Sequence, residues 1–228
     1  MGLTVVEGLL LFRILSLKLY RVYAFITLYC ALNLLFDGAS WYVGWEAPEA
    51  ATIFIYSLFF FALLYPLVAW DTFEESKTQL AKLRRAQTIR LVSGLFITGL
   101  CALLIGLNLE PTDPHGNSTL AVFIGVFLLT GSASACAAFL WFMYRFIRTQ
   151  KIVIAHNTFV WAVYFMLALS LAIVDCMAVL IRPLIPAAAG DITGLVLLTL
   201  DLGLLGWCIV RLKAVPPDVA SAPEKASS

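Results

Sequence analysis

Charge is scarce in this 228-residue chain, where Asp, Glu, Lys and Arg make up 13% of the residues against 62% apolar. So little polar surface cannot clothe a folded chain in water, which excludes an ordinary soluble domain. Histidine is scarcer still. His115 and His156 fall in or beside connections, so a transmembrane haem held by paired imidazoles is excluded. All five cysteines, Cys30, Cys101, Cys136, Cys176 and Cys208, lie within apolar runs. No disulfide framework is expected, and the thiols read as small apolar side chains. The chain also lacks a Gly-x-Ser-Gly motif and the Gly-x-Gly-Asp and Tyr-Asp signatures, which removes the intramembrane serine and aspartyl proteases. No lysine falls inside an apolar run, so a retinal Schiff base on the seventh helix is excluded, Leu205 standing where that lysine would be.

What is present is a set of seven long apolar stretches, at about residues 3–17, 22–43, 50–70, 91–107, 119–144, 157–181 and 192–210. Read as spanning helices of roughly 20 residues each, they define an all-α polytopic transmembrane bundle. The first is the shortest and carries Glu7 and Arg13; it lacks a basic leader and a small-residue cleavage site, so it reads as a helix and not as a signal peptide. Drawn this way, thirteen of the fifteen Lys and Arg residues share one side; only Arg182 is opposite and only Arg13 lies inside a span. The rule that positive charge is retained in the cytoplasm then places the amino terminus outside and the carboxyl terminus inside. The formal net charge of +1 averages a basic face and an acidic one, so it is orientation, and not nucleic-acid binding, that it reflects.

The domain division is simple: residues 1–213 form the membrane domain, and 214–228, rich in Pro, Ala and Ser, form a disordered cytoplasmic tail. Pro66 is expected to bend the inner end of the third span. The basic connection from Asp71 to Arg90 carries Phe73, Leu80 and Leu83 at helical spacing, which suggests an amphipathic extension at the interface. Small residues at Gly131–Ala138 and at Gly194, Gly203 and Gly206 mark packing seams, within one bundle or between two copies.

Ionisable groups at membrane depth are costly and are the default candidates for function. Four are present by this reading: Arg13, Asp37, Asp175 and Asp201. Asn33 precedes Asp37 by one helical turn, so the two project from one face and can share a polar pocket with Trp41. The competing account makes the aspartates protonated hydrogen-bonding groups that tie helices together.

Four segments, Lys18-Leu-Tyr20-Arg21-Val-Tyr23, Trp70-Asp-Thr-Phe-Glu-Glu75, Val153-Ile-Ala-His156-Asn and Gly206-Trp207, resemble those of a group of uncharacterised seven-helix bacterial membrane proteins common in acidobacteria. The resemblance implies the topology and a bacterial inner membrane, and it implies no activity. The expectation is therefore a multi-pass membrane protein that is not an enzyme and holds no cofactor or metal: a sensor, scaffold or partner subunit in contact with the bilayer, with a homo-oligomer or a second membrane protein as partner. The alternative is a small transporter or proton/cation-coupled carrier that uses the intramembrane aspartates. In a three-plus-one-plus-three arrangement the second and sixth spans correspond, and both carry an outer-half aspartate.

Overall fold

The computed structural model describes residues 2–44, 48–76, 117–181 and 187–214. They form six α-helices, with no strand among the described residues: α1 (Gly2–Ser16), α2 (Ala24–Val43), α3 (Pro48–Ser76), α4 (Asn117–Gln150), α5 (His156–Ile181) and α6 (Ala187–Arg211). A 3-10 turn at Leu19–Arg21 joins the first two. Helices α2 to α6 are each long and apolar enough to cross a membrane. Helix α1 has 15 residues, about 22 Å at 1.5 Å per residue, and stops short of a full hydrocarbon thickness. The fourth expected span (91–107), most of the 71–90 connection, Arg182, Cys101 and the tail from residue 215 lie outside the described residues.

Two expected boundaries move. Helix α3 continues past Trp70 to Ser76, and Phe73 is buried against Trp70 and Phe139 where an interfacial position was expected. Helix α4 runs six residues beyond 144. In both cases the polar residues that end an apolar run do not end the helix.

Helix α1 packs on α2 and α6, α2 on α3, α3 on α5, and α5 on α6, closing a circuit of five helices with α4 outside it against α3 and α5. Lys18, Arg21, Arg145, Arg148, Lys151, Arg211 and Lys213 share one end of this bundle, the basic end. The core is concentrated there. Leu10, Ile14, Ile26, Leu140, Met143, Trp161, Phe165 and Cys208 are all nearly inaccessible, and each lies in the half of its helix nearest the basic end.

Polar ties close the same end. Asp71 Oδ2 accepts hydrogen bonds from the backbone N–H groups of Phe25 (2.6 Å) and Ile26 (3.1 Å), so α3 supplies the cap that the first turn of α2 lacks in its own sequence. The carbonyls at the end of α6 and just past it are met in turn. The His156 imidazole bonds Arg211 O at 2.9 Å, Arg13 Nη2 donates to Leu212 O at 3.3 Å, and Asn157 Nδ2 donates to Lys213 O at 2.7 Å. Asn157 Oδ1 accepts the Lys213 N–H in return, and the Tyr23 and Thr158 hydroxyls pair at 2.9 Å.

Pro66 sits inside α3, which continues ten residues beyond it. A proline removes the N–H that would have bonded the carbonyl four residues earlier, here Ala62 O. Ser132 Oγ of α4 donates to that same oxygen at 2.7 Å in a buried bond. Ser132, Ala133, Cys136 and Ala137 face inward, and a Cβ on Gly125 would come within 3.0 Å of Leu58, so this face of α4 is a seam within the bundle. Gly194, Gly203 and Gly206 meet no such close approach among the described residues. Among the described residues the seam expected on that helix is not used inside the bundle.

Ser132→Ala should therefore destabilise by about 1–3 kcal/mol, the cost of an unsatisfied buried carbonyl. In a Pro66→Ala background, where the helix can supply its own donor, the loss should be smaller. Thermal unfolding of the four proteins of this cycle in detergent checks it; equal losses in both backgrounds would refute the link.

Candidate functional site

An acid in an apolar helix is buried only where another polar group can meet it. Glu7, midway along α1, is the most enclosed of the intramembrane acids at 5% exposure. Its Oε1 accepts a hydrogen bond from Asn33 Nδ2 of α2 at 2.5 Å. The Asp37 carboxyl, one turn further along α2, lies within hydrogen-bonding range of the Glu7 carboxyl. Asn33 and Asp37 thus do project from one face, as the four-residue spacing requires, and what they meet is a carboxyl group from α1.

Asp201 of α6, half-buried, lies in the same part of the bundle as Glu7 and Asp37. The phenols of Tyr29, Tyr65 and Tyr164 lie near Asp201. Tyr29 packs on Phe61, Tyr65 and Phe165, so an aromatic layer from α2, α3 and α5 lies beside the acids. With the acids on α1, α2 and α6, all five helices of the closed circuit contribute to this interior.

The remaining expected members separate from it. Arg13 is six residues beyond Glu7, about 9 Å along the axis, and its guanidinium is directed to the end of α6 at Leu212 O. The one base does not face the acids. Asp175 is on the exposed side of α5, makes no hydrogen bond to Glu7 or Asp37, and lies near Asp201 and Tyr65. Its setting differs from that of Asp37, so the corresponding positions in the second and sixth spans are not equivalent. Trp41 lies with Gly2, Thr4 and Val5 at a shallow apolar cleft at the far end of α1 and α2, more than one turn from Asn33.

Glu7 was read in the sequence only as an interruption of a short span. Its signal was present in the spacing Glu7–Leu10–Ile14, three positions on one helical face, all of which are buried. A charge on the buried face of a helix needs a partner, and Asn33–Asp37 was the one polar face of the next helix.

The chemistry open to this arrangement is narrow. Among the described residues no group of three or more His, Cys, Asp or Glu could hold a metal ion. Glu7 Oε2 is buried and has no hydrogen-bond donor among them. Two carboxyl groups bond to each other only when one carries a proton, so a bond between the facing Glu7 and Asp37 needs a single proton held between them. The described cysteines, Cys30, Cys136, Cys176 and Cys208, are free and buried. No family model, curated protein or solved structure matches this chain.

Infrared spectra should show the C=O band of a protonated carboxyl that is lost in Glu7→Gln and in Asp37→Asn but kept in Asp175→Asn. A band unchanged in all three would mean that no proton is held there. Asn33→Leu, which strips Glu7 Oε1 of its donor, should cost about 1–3 kcal/mol in thermal unfolding.

Proposed function

We propose that this multi-pass membrane protein is a small proton-coupled carrier, with Glu7 and Asp37 as the proton-holding pair and Asp201 as its neighbour on the route. The observation that carries this reading is the approach of the Glu7 and Asp37 carboxyls across α1 and α2, with Asp201 of α6 in the same part of the interior and Arg13 turned away to Leu212. Acids kept together at that depth are expensive as packing groups, because one amide on each helix would tie the bundle at lower cost. The closed circuit of helices around them is the place where a translocated group would pass, and the tied basic end supplies a shut side.

In the same reading the basic end faces the cytoplasm of a bacterial inner membrane, with the amino terminus outside, as retained positive charge and the resemblance to the acidobacterial group both suggest. The protein carries out no covalent chemistry.

A second reading, a noncatalytic scaffold or partner subunit, draws on α4. Its Gly131, Ser134 and Ala138 are exposed on the face opposite the internal seam, where small side chains let another helix come close. A homo-oligomer or a second membrane protein would use that face.

Thiol accessibility separates the two. In a version whose native cysteines are replaced by Ala, Asp201→Cys and Asp37→Cys should react with a small charged reagent added from the side opposite the basic end. Lack of reaction from either side would leave the acids as dry packing groups and favour the scaffold.

A further inference from the structure

At the basic end, the turn between α4 and α5 forms a cleft of about 520 Å³ lined by Ile147, Arg148, Lys151, Val153, His156 and Phe159, among others. It is independent of the carboxyl cluster inside the bundle. Three features set it apart from a merely basic surface.

The first is that two of its polar side chains, Arg148 and His156, are tied to neighbours. Arg148 Nε donates to the Tyr144 hydroxyl at 3.1 Å while its guanidinium carbon lies 5.6 Å from the same ring centroid, which fixes a side chain that would otherwise wander. The His156 imidazole is oriented by Arg211 O. The second is the backbone at Lys151. Helix α4 ends with Ile152 N–H bonded to Ile147 O and Lys151 N–H to Arg148 O, a close that puts the first residue past the helix in the left-handed region, where glycine is the usual occupant. Here Lys151 takes φ 51°, which fixes where its side chain leaves the chain, and Lys18 after α1 takes the same conformation at φ 55°.

The third is the company these cations keep. The connection that follows is Ile152-Val153-Ile154-Ala155, unusually apolar for a helix connection, and Val153 is 86% exposed. Apolar side chains beside cations at the end of spanning helices match a ligand that is anionic at one end and hydrocarbon at the other. The amino-terminal end of α5, opening at His156 beside the cleft, adds its positive dipole end. Helix α4 presents its negative end to the same region, which the cations offset.

We propose that this cleft is a binding site for an anionic phospholipid, its phosphate held by Arg148, Lys151 and His156 and its acyl chains lying along Val153 and Phe159. A free phosphate would satisfy the cations and leave the apolar wall in water, so the lipid is the occupant that fits both.

The test uses the full chain, delipidated in detergent and offered phosphatidylglycerol or phosphatidylcholine, with bound lipid counted by native mass spectrometry. The wild type should prefer phosphatidylglycerol by roughly tenfold, given the attraction that each cation near an anionic headgroup contributes. Lys151→Gly suits the left-handed backbone and should melt no lower than the wild type while losing about fivefold of that preference. Lys18→Gln with Arg21→Gln, on another connection at the same end, should keep it. Equal uptake of the two lipids by the wild type would overturn the proposal. So would an unchanged preference in Lys151→Gly, an equal loss in the Lys18 and Arg21 control, or displacement of phosphatidylglycerol by inorganic phosphate.

Discussion

A polar group inside hydrocarbon has no water to fall back on, and that single constraint organises this bundle. Where the chain breaks its own helical bonding, a side chain from another helix meets the break. Pro66 strips Ala62 O of its donor and Ser132 replaces it. The first amides of α2 have no cap in their own sequence, and Asp71 reaches across from α3. The last carbonyl of α6 and the two that follow it are met by His156, Arg13 and Asn157. These ties join helices distant in sequence, so the same bonds that satisfy the backbone also specify which helices are neighbours.

The constraint explains an asymmetry between the two ends. Where the polar ties gather, the apolar side chains are also fully packed, with Trp161, Phe165, Leu10 and Ile14 all sealed. Toward the other end α6 is mostly exposed over residues 191–200, and α1 buries only Glu7 before Leu10. A bundle fastened at one end and looser at the other has a natural place for a polar group that must be reached, at the top of the sealed half. That is where Glu7, Asn33 and Asp37 meet, with Asp201 in the same part of the bundle.

How much of this could be read from the residues depended on the range of the interaction. Helices and their apolar faces follow from local composition, so five long spanning helices were legible, and the shared side of Lys18, Arg145 and Arg211 followed from charge alone. The pair Asn33–Asp37 was legible because four residues make about one turn. Pairings across helices were not. Nothing in the sequence near Ala62 and Pro66 names Ser132, which lies 70 residues on from that carbonyl, and nothing near Arg13 names Leu212. Arg13 was grouped with the acids because it too is an ionisable group within an apolar run, yet six residues of α1 separate it from Glu7 and a carbonyl past the end of α6 takes it instead. Helix ends were misread for a related reason: Asp71 and Arg145 look like solvent-facing stops, but one is a cap for a neighbour and the other lies on a helix that continues into the interface.

Glu7 is the residue on which the functional reading turns. Its Oε2 is the only carboxyl oxygen among the described buried side-chain atoms that lack a partner, although Asn33 shows that a neutral amide fits against its other oxygen. A glutamine at position 7 would bring its own donors and would face Asp37 with a hydrogen bond at any protonation state. Glutamate makes that bond only when a proton is present, so this one tie between α1 and α2 depends on proton occupancy while the Asn33 bond to Oε1 does not. Since α1 also carries Arg13 near its end, bonded to the end of α6, a shift of α1 driven at Glu7 would be felt at the fastened end of the bundle. A carrier needs such a link between an interior proton and the side that is shut, whereas a rigid scaffold would be better served by the amide.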